Sequence, residues 1–188
     1  MKGIDLFIDT YGKGTPYQAL DAETIEQHRA DAPAFLTDMW KKTGLVHFAD
    51  GFWSLVNPDE YQEYLSWFFP EVDQSFLVFM RTAFGGMFYR KLDSSEKVDL
   101  FYFCPLVRRE VRLGKRFEDI FNSWLTSDFL FAPLMYYHVY NEARKILPSP
   151  TIEECYAFVP ALAFGGEPLA ENVKVQDLKI HLQLLSQM

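Results

Sequence analysis

The side chains that most often bind metals or act as nucleophiles are few and far apart in this chain. No two histidines are four residues apart and none lies close to a cysteine, as a zinc site requires; the four are His28, His47, His138 and His181. The two cysteines, Cys104 and Cys155, lie in the largely apolar segments FYFCPL and EECYAF. Burial there would raise the thiol pKa and make both sulfurs inert. We therefore predict no metal ligand and no cysteine nucleophile.

Adjacent carboxylates occur at three places and could in principle support acid–base chemistry. Asp59-Glu60 and Glu153-Glu154 fall in segments predicted to start helices, where acidic side chains complement the helix dipole without any catalytic role. The third pair is Glu118-Asp119. We interpret all three pairs as structural and predict no catalytic residue.

The glycine-containing segments do not match nucleotide-binding motifs. In Gly12-Lys13-Gly14-Thr15 no serine or threonine directly follows the lysine, as a phosphate-binding loop requires. Gly85-Gly86 and Gly165-Gly166 lie outside any G-x-G-x-x-G fingerprint, and the G-x-S-x-G elbow of serine hydrolases is absent from the sequence. The glycine pairs are therefore interpreted as turns, and we predict that the protein is not an enzyme and holds no cofactor.

The first third of the chain predicts helices around a β-hairpin. Residues 21–44 read as two short helices, with Asp21 and Asp31 as candidate N-caps. Asp50-Gly51 separates two β-prone runs and predicts a tight two-residue turn. Asn57-Pro58 then predicts the start of a helix over 58–69.

The middle of the chain changes to the period of strands. Strands are expected at 76–81, 87–91, 98–104 and 106–113, the last with the apolar/polar alternation of an edge strand. With the hairpin they predict a mainly antiparallel, twisted sheet of about five or six strands flanked by helices.

The remaining segments predict a smaller, mostly helical C-terminal part. Phe117, Ile120, Phe121 and neighbouring apolar residues share one helical face, and 128–147 reads as a longer aromatic helix. After the linker-like stretch 147–150 come a strand-like run at 156–164 and a terminal helix with the apolar stripe Val175, Leu178, Leu182 and Leu185. The predicted fold class is therefore α+β, with domains at 1–125 and 126–188 packed together as one unit.

The net charge and aromatic content of the chain indicate what kind of partner it binds. The chain has 188 residues with 18 Lys+Arg against 26 Asp+Glu, a formal charge of −8, which argues against binding nucleic acid through phosphates. Its 18 Phe, 10 Tyr and 4 Trp contribute large contact areas to cores and, when exposed, to interfaces, so we expect some rings to face a partner, and the acidity favours a basic one. No run approaches the ~20 apolar residues of a membrane span, and unpaired reduced thiols fit a cytoplasmic protein.

Two regions of the sequence resemble known bacterial families. Residues 153–166, EECYAFVPALAFGG, followed by LKIHLQLLSQ at 178–187, resemble the C-terminal domain of immunity proteins that protect against type VI secretion DNase effectors. Earlier segments resemble the GAD-like domain that usually precedes it: Leu36 and Trp40 before Gly44, DGFW at 50–53, VNPDEY at 56–61, and AFG at 83–85 before Phe88. Phe164 stands where leucine is expected and Ala157 where glycine is usual; we interpret both as core substitutions.

The resemblance implies a non-enzymatic antitoxin that binds a cognate nuclease toxin and occludes its active site or DNA cleft. A basic toxin would suit an acidic partner, so exposed carboxylates are the candidate contacts: Asp93, Glu96, Asp99, Glu118, Asp119, Glu167 and Glu171. The alternative is a small-ligand-binding or enzymatic α+β domain that uses a pocket between the sheet and the C-terminal helix.

Overall fold

The computed structural model describes residues 4–70, 75–92, 99–127 and 132–188. For residues 132 and 133 it describes the backbone alone. Two predicted contact residues, Asp93 and Glu96, lie outside the described residues. The described chain forms a seven-stranded antiparallel sheet, a separate two-stranded hairpin and helices packed on both. The predicted α+β class with a mainly antiparallel sheet is confirmed.

The strands of the large sheet lie side by side in the order in which they occur along the chain, from β1 to β7. Each strand therefore pairs, antiparallel, with the strand that precedes or follows it in the sequence. Their bounds are β1 Thr15–Gln18, β2 Leu45–Phe48, β3 Trp53–Leu55, β4 Phe76–Thr82, β5 Met87–Lys91, β6 Leu100–Cys104 and β7 Arg109–Gly114.

Central and edge strands differ in burial as their sequences predict. Every residue of β4 and β6 is buried, because neither strand carries a polar alternation. β7, at the edge, alternates exposed and less exposed residues and buries only Leu113. The predicted edge strand is confirmed.

The sheet has one strand more than expected, since β1 is absent from the prediction. Its four residues are mostly exposed and include Pro16, which lowers β propensity and suits only an edge. The hairpin of β2 and β3 is confirmed by the pairs His47 with Ser54 and Phe48 with Trp53. Its loop is longer than the predicted two residues, with Asp50 and Gly51 both at positive φ.

Eight helices lie in the described chain, and the first, α1, is not predicted from the sequence. Their bounds are α1 Asp5–Tyr11, α2 Ala22–Gln27, α3 Ala34–Thr43, α4 Pro58–Ser66, α5 Phe117–Asp119, α6 Ala132–Met135, α7 Tyr137–Ala143 and α8 Leu178–Ser186. A π-helical segment, Ile120–Trp124, continues α5. The Phe7 ring of α1 packs 5.0 Å from the rings of Phe48 in β2 and Phe121, so the helix covers the sheet.

The predicted helix starts are partly correct. The Asp21 carboxylate accepts a hydrogen bond from the Thr24 amide, and Asn57 caps α4 in the same way. Asp31 does not cap α3, because Pro33 holds the N-cap position in an extended conformation. The predicted single helix over 128–147 is interrupted at Tyr136, which adopts a left-handed conformation with φ 59°; its ring packs against Phe84 and Phe158 instead.

The C-terminal region is a hairpin of β8 (Glu154–Phe158) and β9 (Val173–Asp177) followed by α8. It is joined to the large sheet at the β4–β5 turn, where the Tyr156 amide donates to the carbonyl of Ala83 at 2.9 Å. A single cluster of buried side chains runs through both parts. The sequence places Val175 in the terminal helix, whereas the structure places it in β9.

Candidate functional site

An apolar groove of about 270 Å3 lies where the large sheet meets the C-terminal region. Three segments line it: the β6–β7 turn at 105–108, Leu162 and Ala163 of the short 3-10 turn Leu162–Phe164, and the end of α8 with Met188. The only charged residue in the lining is Arg108. The groove is therefore built jointly by distant parts of the chain.

Arg108 fixes the relative position of two walls of the groove. Its guanidinium donates to the carbonyls of Leu185 at 3.3 Å and Ser186 at 3.0 Å, in the last turn of α8. The same group lies over the Phe68 ring, 5.8 Å from its centroid. A cation at a helix C-terminus is favourable, so Arg108 holds the turn and α8 together despite its positive φ of 48°.

Most exposed apolar side chains lie on the elements that contribute residues to this groove. Among the described residues, nine large hydrophobic side chains are exposed, and all but Leu6 and Ile146 come from the β6–β7 turn, the 159–169 loop, or α8 and its end. They are Val107, Val159, Phe164, Leu169, Ile180, Leu184 and Met188. Exposed apolar surface that gathers on a few elements is a candidate interaction site.

The loop between β8 and β9 is held rigid by its own backbone. The amides of Phe164 and Gly166 both donate to the carbonyl of Ala161, and the Val159 amide donates to that of Asn172. A Cβ at Gly166 would lie 1.9 Å from the carbonyl oxygen of Pro160, so only glycine fits there. The loop thereby holds the Phe164 ring 71% exposed. The interpretation of Phe164 as a core residue is wrong, whereas Ala157 is buried as expected.

The same loop is acidic. Residues 159–172 contain two glutamates and no lysine, arginine or histidine. Glu167 and Glu171 are exposed, as predicted, and neither forms an ion pair within the described part of the chain. An exposed aromatic ring beside two unpaired carboxylates is a surface suited to a partner that is both apolar and basic.

The three other predicted contact residues that the structure describes do not belong to this loop. The expected exposure of Asp99 is wrong: its side chain is buried and forms a 2.6 Å ion pair with Arg112 across β6 and β7. Glu118 is half-buried in α5, and the neighbouring Asp119 is exposed and lies 3.9 Å from Arg116. Of the five predicted contact residues that the structure describes, only Glu167 and Glu171 belong to the loop that lines the groove.

The sequence does not predict the exposed apolar side chains of this surface, because an apolar residue is normally expected to be buried in the core. The predicted strand-like run over 156–164 is too long, because β8 ends at Phe158 and Phe164 lies in a turn. Pro160 and the following Gly165-Gly166 are the turn formers that could have indicated this. Val107 and Met188 carry no such signal. Their exposure depends on tertiary packing.

A second depression lies beside the Asp50 loop and is polar. Asp50 forms a 2.5 Å ion pair with Arg144, and this carboxylate raises the pKa of the guanidinium. His47 contacts the Ser54 hydroxyl at 2.7 Å, and burial lowers its pKa to about 4. The charged groups here are paired with each other and His47 is neutral near pH 7, so the depression shows no group poised for proton transfer.

Groups suited to catalysis or metal binding are not assembled elsewhere in the described residues. No cluster of three or more metal-ligating side chains occurs within those ranges. Burial raises the pKa of the Cys104 thiol to about 11 and that of Cys155 to about 12. The predicted burial of both cysteines is confirmed. Among the described helices, none has the length and apolarity needed to cross a bilayer.

Comparisons with known proteins agree with the geometry. Residues 2–102 match the family described as the GAD-like domain, and residues 115–188 match the family described as T6SS immunity protein Tdi1, C-terminal. The fold is similar to the crystal structure of Atu4351 from Agrobacterium tumefaciens, with a TM-score of 0.72 and 15% identity over 96% of this chain and 86% of that chain. At that identity the likeness concerns the fold alone. No curated protein matches the chain.

Proposed function

This chain belongs to the GAD-like domain family and carries the C-terminal domain of a type VI secretion immunity protein, and from that premise we propose that it neutralises one cognate nuclease toxin by binding it. The toxin is a DNase effector, and the complex blocks its active site or its DNA cleft. The protein acts by stoichiometric association in the cytoplasm, where the DNA to be protected lies.

The acidic, apolar surface around Phe164 carries this proposal. A DNA-cleaving enzyme must present basic surface to phosphates, and residues 159–172 around Phe164 offer two exposed carboxylates, Glu167 and Glu171, and contain no lysine, arginine or histidine. Negative groups that approach such a cleft compete with DNA for the same lysines and arginines. Complementary charge also accelerates association, which matters when a toxin must be captured before it cleaves the chromosome.

The chemistry of the site favours binding over catalysis. Both thiols are buried with raised pKa values, and the Asp50 carboxylate is already engaged by Arg144. The apolar groove has a single charged lining residue, Arg108, and its guanidinium is used to hold α8. These observations support a protein whose surface is its functional element.

Co-expression tests the function directly. The gene adjacent to that of this chain is expressed in a host alone and together with this chain, and survival and plasmid integrity are scored. We expect the neighbour to kill the host and degrade plasmid DNA alone, and this chain to restore both. The purified pair should elute together at a one-to-one ratio.

A toxin variant without nuclease activity provides the control. It should still co-elute with this chain, because binding requires the toxin surface and not its turnover. A harmless neighbour, or one that kills without degrading DNA, contradicts the proposed DNase target. Protection without co-elution contradicts neutralisation by binding.

A further inference from the structure

We propose that the toxin docks on the groove between the β6–β7 turn and α8, where an apolar toxin pocket with basic side chains at its rim encloses the Phe164 ring. This inference rests on the proposed function and specifies which surface of the chain binds the toxin. The occupant is a toxin segment that presents both apolar and basic side chains. Three observations support this: the exposure of Phe164, the rigidity of its loop, and the charge around it.

Phe164 has the properties of a binding anchor. Its ring is 71% exposed although a phenylalanine normally contributes a large buried area. The hydrogen bonds from the Phe164 and Gly166 amides to Ala161 hold the loop in place before any partner arrives. A preorganised aromatic side chain loses little conformational entropy on binding, so most of its contact energy appears as affinity.

The groove beside the ring suits a side chain of a partner better than a free metabolite. Its volume of about 270 Å3 lies below the ~300–1,000 Å3 typical of small-molecule pockets. Val107 and Met188, both nearly half-exposed, stand on its walls. A complex that places Phe164 in the toxin and a toxin side chain in the groove would bury apolar surface on both partners.

The negative charge of this surface favours association with a basic toxin over association with a second copy of this chain. Two copies that met through this surface would bring Glu167 and Glu171 of one close to those of the other, at a formal charge of −8 each. Like charges in one interface oppose association. A basic partner instead pairs with these carboxylates, which have no cation of their own within the described residues.

Point variants of the whole chain test the surface against the inactive form of the toxin from the adjacent gene. We expect Phe164→Ala to raise the Kd at least 30-fold, mostly through faster dissociation. Ile146→Ala is the matched control, because Ile146 is 70% exposed but lies three residues after α7 and outside the groove lining; it should leave the Kd within about twofold. Thermal unfolding should be unchanged in both, since neither side chain is buried.

A charge-reversal pair tests the electrostatic part. Glu167→Lys with Glu171→Lys should slow association at least tenfold at low salt and remove most of its salt dependence. Glu23→Lys with Glu26→Lys, on helix α2, changes the net charge equally and should have a much smaller effect.

The outcomes separate this surface from the function itself. Host protection that persists with an unchanged Kd for Phe164→Ala and Val107→Ser overturns the docking surface and leaves the immunity function standing. Self-association of the wild-type chain that Phe164→Ala abolishes, with toxin affinity unchanged, identifies the face as a dimer contact and also overturns it. Loss of protection by the unmodified chain contradicts the proposed function instead.

Discussion

The guanidinium of Arg81 donates a 2.8 Å hydrogen bond to the carbonyl of Thr151, 70 residues further along the chain. Arg81 lies in β4 at the centre of the large sheet with 1% of its surface exposed, and a second bond reaches the carbonyl of Ile152. These bonds join the sheet to the segment that leads into β8. The buried arginine therefore holds together the two regions that match different families.

Replacing this arginine should destabilise the protein as a whole. We expect Arg81→Ala to lower the free energy of unfolding by about 3 kcal/mol or more, because it leaves a cavity and two carbonyls without their charged donor. Arg29→Ala, which removes an exposed ion pair with Glu26, should change it by less than ~1 kcal/mol. Urea denaturation of both variants measures the difference. Equal, small effects would contradict the role of Arg81.

The second glycine pair should tolerate substitution unequally. At Gly166 an added Cβ lies 1.9 Å from the Pro160 carbonyl, so Gly166→Ala must rearrange the loop that presents Phe164. At Gly165 the space is open and the penalty is the left-handed backbone alone, about 1–2 kcal/mol. We expect Gly166→Ala to lose more stability in thermal unfolding and to bind the toxin more weakly than Gly165→Ala. The reverse order would show that the loop can relax.

Acidification should destabilise the fold through two histidines. Burial lowers the pKa of His181 to about 4, and burial with the charge of Arg81 does the same for His47. Both values lie below the unfolded pKa of ~6.5, so the unfolded chain binds more protons between these limits. The stabilisation is therefore present above about pH 6.5 and is lost as the pH falls towards 4.

The double variant His47→Gln, His181→Gln isolates this effect from that of the carboxylates. Urea midpoints measured at pH 7.5 and pH 5 should differ less in the variant than in the wild-type chain. An unchanged difference would show that neither histidine titrates abnormally in the folded protein.

The two thiols should be unreactive in the folded protein. Burial raises the pKa of both Cys104 and Cys155, so the thiolate is scarce and its access is blocked. An aromatic disulfide reagent at pH 8 should modify neither within minutes, whereas both should react at once in guanidinium chloride. Rapid reaction of one thiol without denaturant would show that its surroundings open in solution.

Local signals account for the parts of the fold that the sequence predicts. Asn57-Pro58 predicts the start of α4, because the cap and the proline act within one turn. The alternation of β7 predicts its edge position. The break at Tyr136 and the addition of β1 depend instead on rings and strands far along the chain, which leave no local pattern.

In the candidate site, too, some features follow from the local sequence and others depend on tertiary packing. The exposure of Glu167 and Glu171 follows from their charge and turn-rich surroundings, whereas Asp99 is buried because Arg112 on the next strand neutralises it. The outward position of Phe164 follows from a backbone arrangement that only Gly166 permits. Sequence reasoning thus finds the acidic part of the surface and misses its apolar centre.

The sequential strand order and the late position of α8 have a consequence for newly made protein. All seven strands and the β6–β7 turn leave the ribosome before residue 115, whereas Leu185, which Arg108 binds, comes 77 positions after that arginine. At ~5–20 residues per second, translation needs about 4–15 seconds to cover that distance. A nascent molecule would carry a finished sheet through this interval without a groove, so protection at any instant would rest on molecules made earlier.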